Sequence, residues 1–349
     1  LDMKAVVEVG AKEIVVQELP TPEIQADEVL MKVRANGLCT NDFRDYAGES
    51  DYTFPRVGGH EFSGEIVRIG SKVDSDHFNV GDHVVKYIIP NCGECHYCKT
   101  GRPNLCNKVY TSTTFQNPDG ISGFFGLAQY IAVKSKDLYK YPKEIPYTKS
   151  AFTEPVACVV NSVEKAGIAL GQDVLIIGGG VMGLLHVQLA KLRGARVIVS
   201  EPNKDRQELA QNLGADITFD PTEGDAIEFV KQQTEGRGAE IVFNTTANPN
   251  VAQQALDFTA KGGRTLMFSS MHPNEPVPTD MGAVHSQERT ITGTVSPTIA
   301  TFYRATQLIA KGLVDVETLL DKTFNYTDAT EAFEYGARPE TLKTMITFD

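Results

Sequence analysis

The sequence predicts a two-domain α/β chain in which a barrel-like, mostly antiparallel β domain is joined to a parallel, doubly wound sheet. Three observations carry that expectation. At 349 residues the chain exceeds the length at which a single core usually stops growing. Up to about residue 150 it reads as short β-rich runs separated by Pro, Gly and Asp. Beyond that point short apolar strands alternate with helical patterns, the signature of a parallel sheet with crossover helices.

In the first part, Lys4–Val9, Glu28–Val33, Gly64–Gly70 and Asp82–Ile89 have strand length and strand chemistry. In the second part, Val174–Ile177 is a fully apolar strand, followed by a glycine turn and a helix running through Leu192. Strand Val197–Ser200, a helix over Asp205–Leu213, strands Ile241–Phe243 and Thr265–Phe268, and an intervening helix Val251–Phe258 continue the alternation. A helix is expected over Phe302–Lys311. Thr344–Phe348 has strand chemistry and is expected to return to the first domain.

Composition narrows the function classes. Hydrophobic residues make up 41% and charged residues 22%, an ordinary globular balance. No apolar run is long enough to span a bilayer, which argues against a membrane partner. The polar N-terminus lacks a signal-peptide pattern, so a cytoplasmic location is expected, and Leu1-Asp2 ahead of Met3 reads as an expression scar. A net charge of −12 argues against nucleic acid, whose binders cluster Lys and Arg against phosphates. It leaves a small anionic ligand possible.

Gly178, Gly180 and Gly183 form G-x-G-x-x-G directly after the apolar strand and directly before the helix that begins with Val181 and Met182. In that setting the glycines provide a tight turn, close backbone approach to a pyrophosphate, and helix–strand packing. The helix N-terminus offers amide donors and the positive end of a dipole to phosphates, so Val181 and Met182 join the glycines as candidate cofactor contacts. Glu201 closes the next strand, where a carboxylate accepts from the adenosine ribose hydroxyls and repels a 2′-phosphate. NAD is therefore expected rather than NADP. Arg206 is the counter-signal, because an arginine nearby can accommodate that phosphate or lie near the adenine.

Two groups of residues have metal chemistry. Cys92, Cys95, Cys98 and Cys106 give C-x2-C-x2-C-x7-C, four thiolates that close a tetrahedral shell as structural zinc requires. An iron–sulfur cluster is the rival, but its run continues with a fourth cysteine three residues on and then proline, which this chain lacks. The second group is scattered: Cys39, His60, Glu61 and, far away, Glu154. Thiolate, imidazole and carboxylate at separated positions suit a catalytic zinc with room for water or substrate. His77, His83, His96, His186, His272 and His285 match no ligand spacing and read mostly as surface groups. Cys158 reads as packing.

Taken together, these residues closely resemble the zinc-containing medium-chain dehydrogenase/reductase family. Gly59-His60-Glu61-Phe62-Ser63-Gly64, continued by Gly70 and Val73, fits that family's zinc signature. The four-cysteine lobe, Glu154-Pro155-Val156-Ala157-Cys158 and Gly178–Gly183 follow in the family's order. Glu154 stands where classical alcohol dehydrogenases place a sulfur ligand, so the chain is most similar to the polyol (sorbitol) and threonine dehydrogenase branch. The resemblance implies a GroES-like β-barrel catalytic domain over 1–152 and 296–349, with a zinc lobe at about 90–108, and a Rossmann NAD-binding domain over 153–295. It implies that Cys39, His60 and Glu154 surround a catalytic zinc, that Glu61 is an adjacent ligand able to swing in, and that Asp42 orients His60. It also implies a homodimer or homotetramer.

Two positions depart from the family. The family has Gly, then Ser or Thr, then Asp after the zinc cysteine; this chain reads Cys39-Thr40-Asn41-Asp42, and an amide cannot relay a proton as a hydroxyl does. Either Thr40 takes that role, or water and Glu154 do. Arg44 stands where many relatives have histidine; it either reaches a phosphate or acidic group of the substrate or is simply solvated. The expected activity is zinc-dependent, NAD-linked oxidation of a secondary alcohol to a ketone, with a sugar alcohol or its phosphate as substrate. Threonine is the enzymatic alternative, and a non-catalytic NAD-binding sensor is the alternative of another class.

Overall fold

The computed structural model describes residues 2–109 and 120–349. The chain divides into two compact units, one of Leu1–Ala157 with Thr298–Asp349 and the other of Cys158–Pro297.

The first unit is organised around β-sheets. Strands β1 (Asp2–Gly10) and β2 (Glu13–Pro20) form an antiparallel hairpin. Strands β3 (Glu28–Gly37), β4 (Glu61–Ile69), β5 (His83–Lys86), β6 (Tyr130–Lys134) and β7 (Leu138–Tyr141) belong to a seven-stranded sheet with two strands from the far end of the chain, Leu320–Asn325 and Lys343–Thr347. The expected strand over Asp82–Ile89 is shorter than its apolar run. After Lys86 the chain leaves the sheet; Tyr87, Ile88 and Ile89 are buried, and Tyr87 donates its amide to Asp137 O at 2.8 Å. Short helices α1 (Thr40–Ala47), α2 (His96–Lys99) and α3 (Tyr147–Ser150) fill the connections, and α4 (Thr153–Ala166) carries the chain into the second unit.

The second unit is a six-stranded sheet of β8 (Asp173–Ile177), β9 (Arg196–Ser200), β10 (Ile217–Phe219), β11 (Ala239–Asn244), β12 (Thr259–Met267) and β13 (Thr290–Gly293). All five pairings are parallel and the spatial order is β10-β9-β8-β11-β12-β13. The order reverses at β8/β11, the switch point beyond which a doubly wound sheet binds its ligand. Every residue of β8 is buried, as a central strand covered on both faces requires. Helix α5 (Val181–Leu192) follows β8, and α6 (Lys204–Asn212) follows β9.

The remaining strands are β14 (Leu320–Asn325) and β15 (Lys343–Thr347). β15 pairs antiparallel with β3, Met345 opposite Gly37, and parallel with β14. The C-terminal segment thus returns to the first unit, as its strand chemistry suggests. No helix among the described residues is long and apolar enough to cross a membrane.

Candidate active site

The first cluster forms where β3 ends. Leu38 donates its amide to Thr344 O (2.9 Å), so β15 fixes the backbone immediately before Cys39. Cys39 caps α1, and the Asp42 carboxylate folds back to accept its amide hydrogen at 2.8 Å. His60 precedes β4 and Glu61 begins it. Ligand atoms of Cys39, His60 and Glu61 all lie within 4.8 Å of one another.

The charge around His60 is strongly negative. Asp42 Oδ1 lies 3.7 Å from His60 Nδ1, beyond hydrogen-bond distance but on that nitrogen's side, which leaves Nε2 for a ligand. Burial alone would lower the imidazole pKa; Asp42, Cys39 and Glu154 together overcome it and hold the group well above an ordinary histidine. A largely enclosed imidazole crowded by a cysteine sulfur and carboxylates is an environment that a bound cation neutralises, and thiolate, imidazole and carboxylate are the donors zinc takes. The residues therefore fit a zinc ion. Glu154 lies in the first turn of α4, outside the tight set of three, and acts on His60 through its charge.

Two features of this region are absent from the sequence reading. Lys343 Nζ donates to Glu61 Oε2 at 2.6 Å and to Leu38 O at 3.1 Å, with both charged side chains buried. Burial works against the ammonium, but Glu61, Cys39 and Glu154 outweigh it and keep Lys343 above an ordinary lysine. Behind Asp42, Arg56 pairs with Asp45 and with Glu8 (3.3 Å), all three being buried. A lysine in a C-terminal strand and an arginine in a loop carry no motif; the partners make them significant.

The departures from the family pattern are also resolved. Thr40 and Asn41 are both exposed at the start of α1. Asn41 Oδ1 accepts from Arg44 Nη1 at 3.0 Å, one helical turn apart, so Arg44 and Asn41 engage each other on the outer face of the helix. The unassigned histidines are mostly surface groups, as expected: His77, His96, His272 and His285 are exposed, and two are buried. His83 is buried against Ser150 Oγ (2.6 Å), Tyr141 and Tyr147. His186 is buried between Met182 O (2.8 Å) and Ser162 Oγ (2.9 Å), with Phe243 and Phe268 against its ring. Each is a neutral ring that buries its apolar edges while its nitrogens find partners.

The four cysteines converge. Cys92 and Cys98 sulfurs are 4.0 Å apart, Cys95 and Cys106 3.9 Å, and Cys92 and Cys106 3.6 Å. These match the roughly 3.8 Å edge of a tetrahedron with Zn–S bonds of about 2.3 Å. Backbone amides of Cys95, Cys92 and Lys108 point at the sulfurs of Cys92 (3.3 Å), Cys106 (3.4 Å) and Cys106 (3.4 Å). Such amide bonds favour thiolate; those from Cys98 and Asn107 hold the Cys95 pKa down at about 6, whereas burial pushes Cys98 up to about 12. The residues fit a structural zinc.

In the second unit the glycine turn has the shape its sequence suggests. Gly178 has φ of 106°, which a side chain would strain. A Cβ on Gly183 would meet Gly178 O at 1.9 Å, so only glycine lets α5 approach the turn. Gly180 opens onto space, with nothing within 4 Å of a Cβ built there, and Val181 and Met182 follow as the first turn of α5. Glu201, directly after β9, is buried and accepts from Gly179 N (2.7 Å) and Asn203 N (2.9 Å). Arg206 sits in the first turn of α6, its amide capped by Asn203 Oδ1 at 3.1 Å. An open glycine at a helix N-terminus beside a fixed carboxylate is a cradle that fits a dinucleotide.

Residues 25–143 match the family described as alcohol dehydrogenase GroES-like domain, and residues 181–311 match zinc-binding dehydrogenase. The chain is 32% identical to sorbitol dehydrogenase of Bacillus subtilis, over 99% of this chain and 97% of that protein. It is 34% identical to L-threonine 3-dehydrogenase of Caldanaerobacter subterraneus subsp. tengcongensis, over 99% and 98%. Among solved structures, one from Sinorhizobium meliloti assigned as a zinc-binding dehydrogenase and bound to NADP superimposes with a TM-score of 0.91 at 29% identity, covering 100% of both chains.

Proposed function

Because the chain belongs to the zinc-containing medium-chain dehydrogenase family, in its polyol and threonine dehydrogenase branch, we propose that it oxidises a secondary hydroxyl of a sugar alcohol, free or phosphorylated, to the ketone with NAD as acceptor. The chain is an oxidoreductase acting on CH–OH donors. The observation that carries it is the convergence of Cys39, His60 and Glu61 beside Glu154, in a chain that also forms the glycine cradle at Gly178–Gly183.

In this reading Cys39, His60 and Glu154 hold the catalytic zinc, and Cys92, Cys95, Cys98 and Cys106 hold the structural one. The catalytic ion supplies a Lewis acid that acidifies the substrate hydroxyl, and NAD supplies the hydride acceptor. Asp42 fixes the Cys39 backbone and faces His60 Nδ1, which sets the geometry of two ligands with one carboxylate. Thr40, exposed at the start of α1, is the hydroxyl through which the substrate proton leaves, since the Asn41 amide cannot relay a proton as a hydroxyl does and is held by Arg44. Glu201, fixed by two backbone amides, receives the adenosine ribose and disfavours a 2′-phosphate. The same reading gives a homodimer or homotetramer.

The test is NAD and NADP reduction by zinc-loaded enzyme across polyols, polyol phosphates, L-threonine and short alcohols. Turnover confined to polyols or their phosphates supports the reading. Turnover of phosphates alone assigns Arg44 to the phosphate, and Arg44→Gln then lowers kcat/KM for the phosphate about tenfold, roughly 1.4 kcal/mol. Turnover of threonine alone overturns the substrate. No turnover with zinc and NAD both bound leaves the sensor reading.

A further inference from the structure

We propose that Arg56 is a positioning residue for the catalytic metal centre: it clamps helix α1 to the loop that carries His60 and so holds the Asp42 carboxylate against that imidazole. The inference rests on the reading that Cys39, His60 and Glu154 hold the metal.

Arg56 opens the loop that leads to His60, and its backbone is tied to Glu8 of β1 in both directions. Arg56 N donates to Glu8 O at 3.0 Å, and Glu8 N donates to Arg56 O at 2.9 Å. The side chain then crosses to α1. Its Nη1 donates to Asp45 and, at 3.3 Å, to Glu8 Oε2. Asp45 stands one helical turn beyond Asp42, so α1 meets the loop twice, through Asp45 and Arg56 and through Asp42 and His60. Gly58, between Arg56 and His60, marks where these groups converge. A Cβ built on it would lie 3.5 Å from Asp42 Oδ1, 3.8 Å from Glu8 Oε1 and 3.9 Å from Arg56 Nη1.

The cluster is a poor device for stability alone. Three carboxylates, Glu8, Asp42 and Asp45, act by charge on one guanidinium, and all four groups are buried. Arg56 Nε and Glu8 Oε1 have no hydrogen-bond partner among the described residues. Buried ion pairs with unsatisfied atoms recover little of their desolvation cost, so the arrangement points to a geometry needed for something else. Asp42 supplies that need. It accepts from Cys39 N at 2.8 Å and faces His60 Nδ1, and both contacts depend on where α1 lies. Without the guanidinium, the three carboxylates repel one another across a dry interior, and that repulsion pushes α1 away from the loop.

The sign of the effect separates positioning from charge. Removing a nearby cation makes the site more negative and by itself raises its affinity for a divalent ion, whereas lost positioning lowers it. The experiment is chelator competition on cobalt-loaded enzyme, followed by absorption, for wild type, Arg56→Met, Asp42→Asn and Arg56→Met/Asp42→Asn. Release from the lobe removes the charge-transfer absorption of four thiolates and release from the catalytic site that of one, which tells the two sites apart. Arg56→Met is expected to weaken the catalytic site about tenfold or more, the lower end of what losing the groups that orient metal ligands costs, with the lobe unchanged. The double variant is expected to bind no more weakly than Asp42→Asn alone, because Arg56 acts through Asp42. Should Arg56→Met fail to fold, Arg56→Met/Asp45→Asn removes both charges of that pair together and is expected to show the same loss. Unchanged or higher catalytic-site affinity in a folded variant overturns the inference. So does an equal loss at the lobe, or a double variant whose loss is the product of the two single losses. Uptake of only one cobalt per wild-type chain instead removes the metal-site reading beneath it.

Discussion

Glu201 reaches back across the glycine turn to accept the amide hydrogen of Gly179 at 2.7 Å, and a Cβ on Gly179 would lie 2.8 Å from Glu201 Cγ. The carboxylate is thus built into the turn rather than hung beside it. Glu201→Gln keeps the shape but removes the charge that repels a 2′-phosphate. The ratio of kcat/KM for NAD to that for NADP should fall about tenfold or more, roughly 1.4 kcal/mol. Steady-state kinetics with both cofactors check this, and an unchanged ratio would mean that Arg206 sets the preference.

Asp42→Asn should weaken zinc at the catalytic site while leaving the four-cysteine lobe loaded. The amide can still accept from Cys39 N, but the negative charge facing His60 is lost. Outer carboxylates of this kind are worth about 10- to 100-fold in metal affinity. Chelator titration with metal analysis reads the effect directly: one zinc per chain should be lost at a lower chelator concentration than in wild type.

Cys98→Ser breaks the closed shell of four sulfurs. One zinc per chain should disappear and the melting temperature should fall, because a structural zinc contributes folding energy directly. Calorimetry together with metal analysis checks both. Retention of two zinc ions by the serine variant would refute the four-thiolate assignment.

Three buried groups set opposing pH dependences. Burial holds His83 and His186 each at about 4, below the ordinary 6.5, so their stabilisation is complete above pH 6.5 and is lost as pH falls toward 4. Burial, with Arg56 opposing it, raises Glu8 from 4.5 to about 7, so its contribution is complete below 4.5 and is lost as pH rises toward 7. Between about 6.5 and about 4.5 the unfolded chain holds a proton on each of the two histidines, whereas the folded chain holds one on Glu8 alone. Through these groups stability falls by about 1.4 kcal/mol per pH unit for the one-proton difference. Glu8→Gln removes the opposing proton, and thermal melts across this range should then show a steeper loss on the acid side.

The local parts of the molecule were legible in the sequence, and the long-range parts were not. The cysteine lobe and the glycine turn each complete themselves within a short stretch of chain, so spacing alone exposes their chemistry. Cys39, His60 and Glu154 are far apart, and only the resemblance joined them. Lys343 meets Glu61 across 282 positions, and nothing in Leu342-Lys343-Thr344 marks that lysine as a buried partner. His186 reads as polar in a list of residues, yet Ser162 and the Met182 carbonyl let it sit fully buried in α5. Propensity describes a residue's own preferences, whereas burial is decided by who its neighbours become.

β15 completes the sheet around β3, and its Lys343 bonds the carbonyl of Leu38 from 305 positions away. This imposes an order on biosynthesis. The parallel unit is one continuous stretch, so a ribosome can deliver all of it before the other unit has its last strands. The first 157 residues must wait, with β3 exposed on the side that β15 will take and the thiolate of Cys39 not yet anchored. The catalytic centre is therefore the last part of the chain to mature, and the newly made protein is most dependent on chaperones and on zinc supply during that interval.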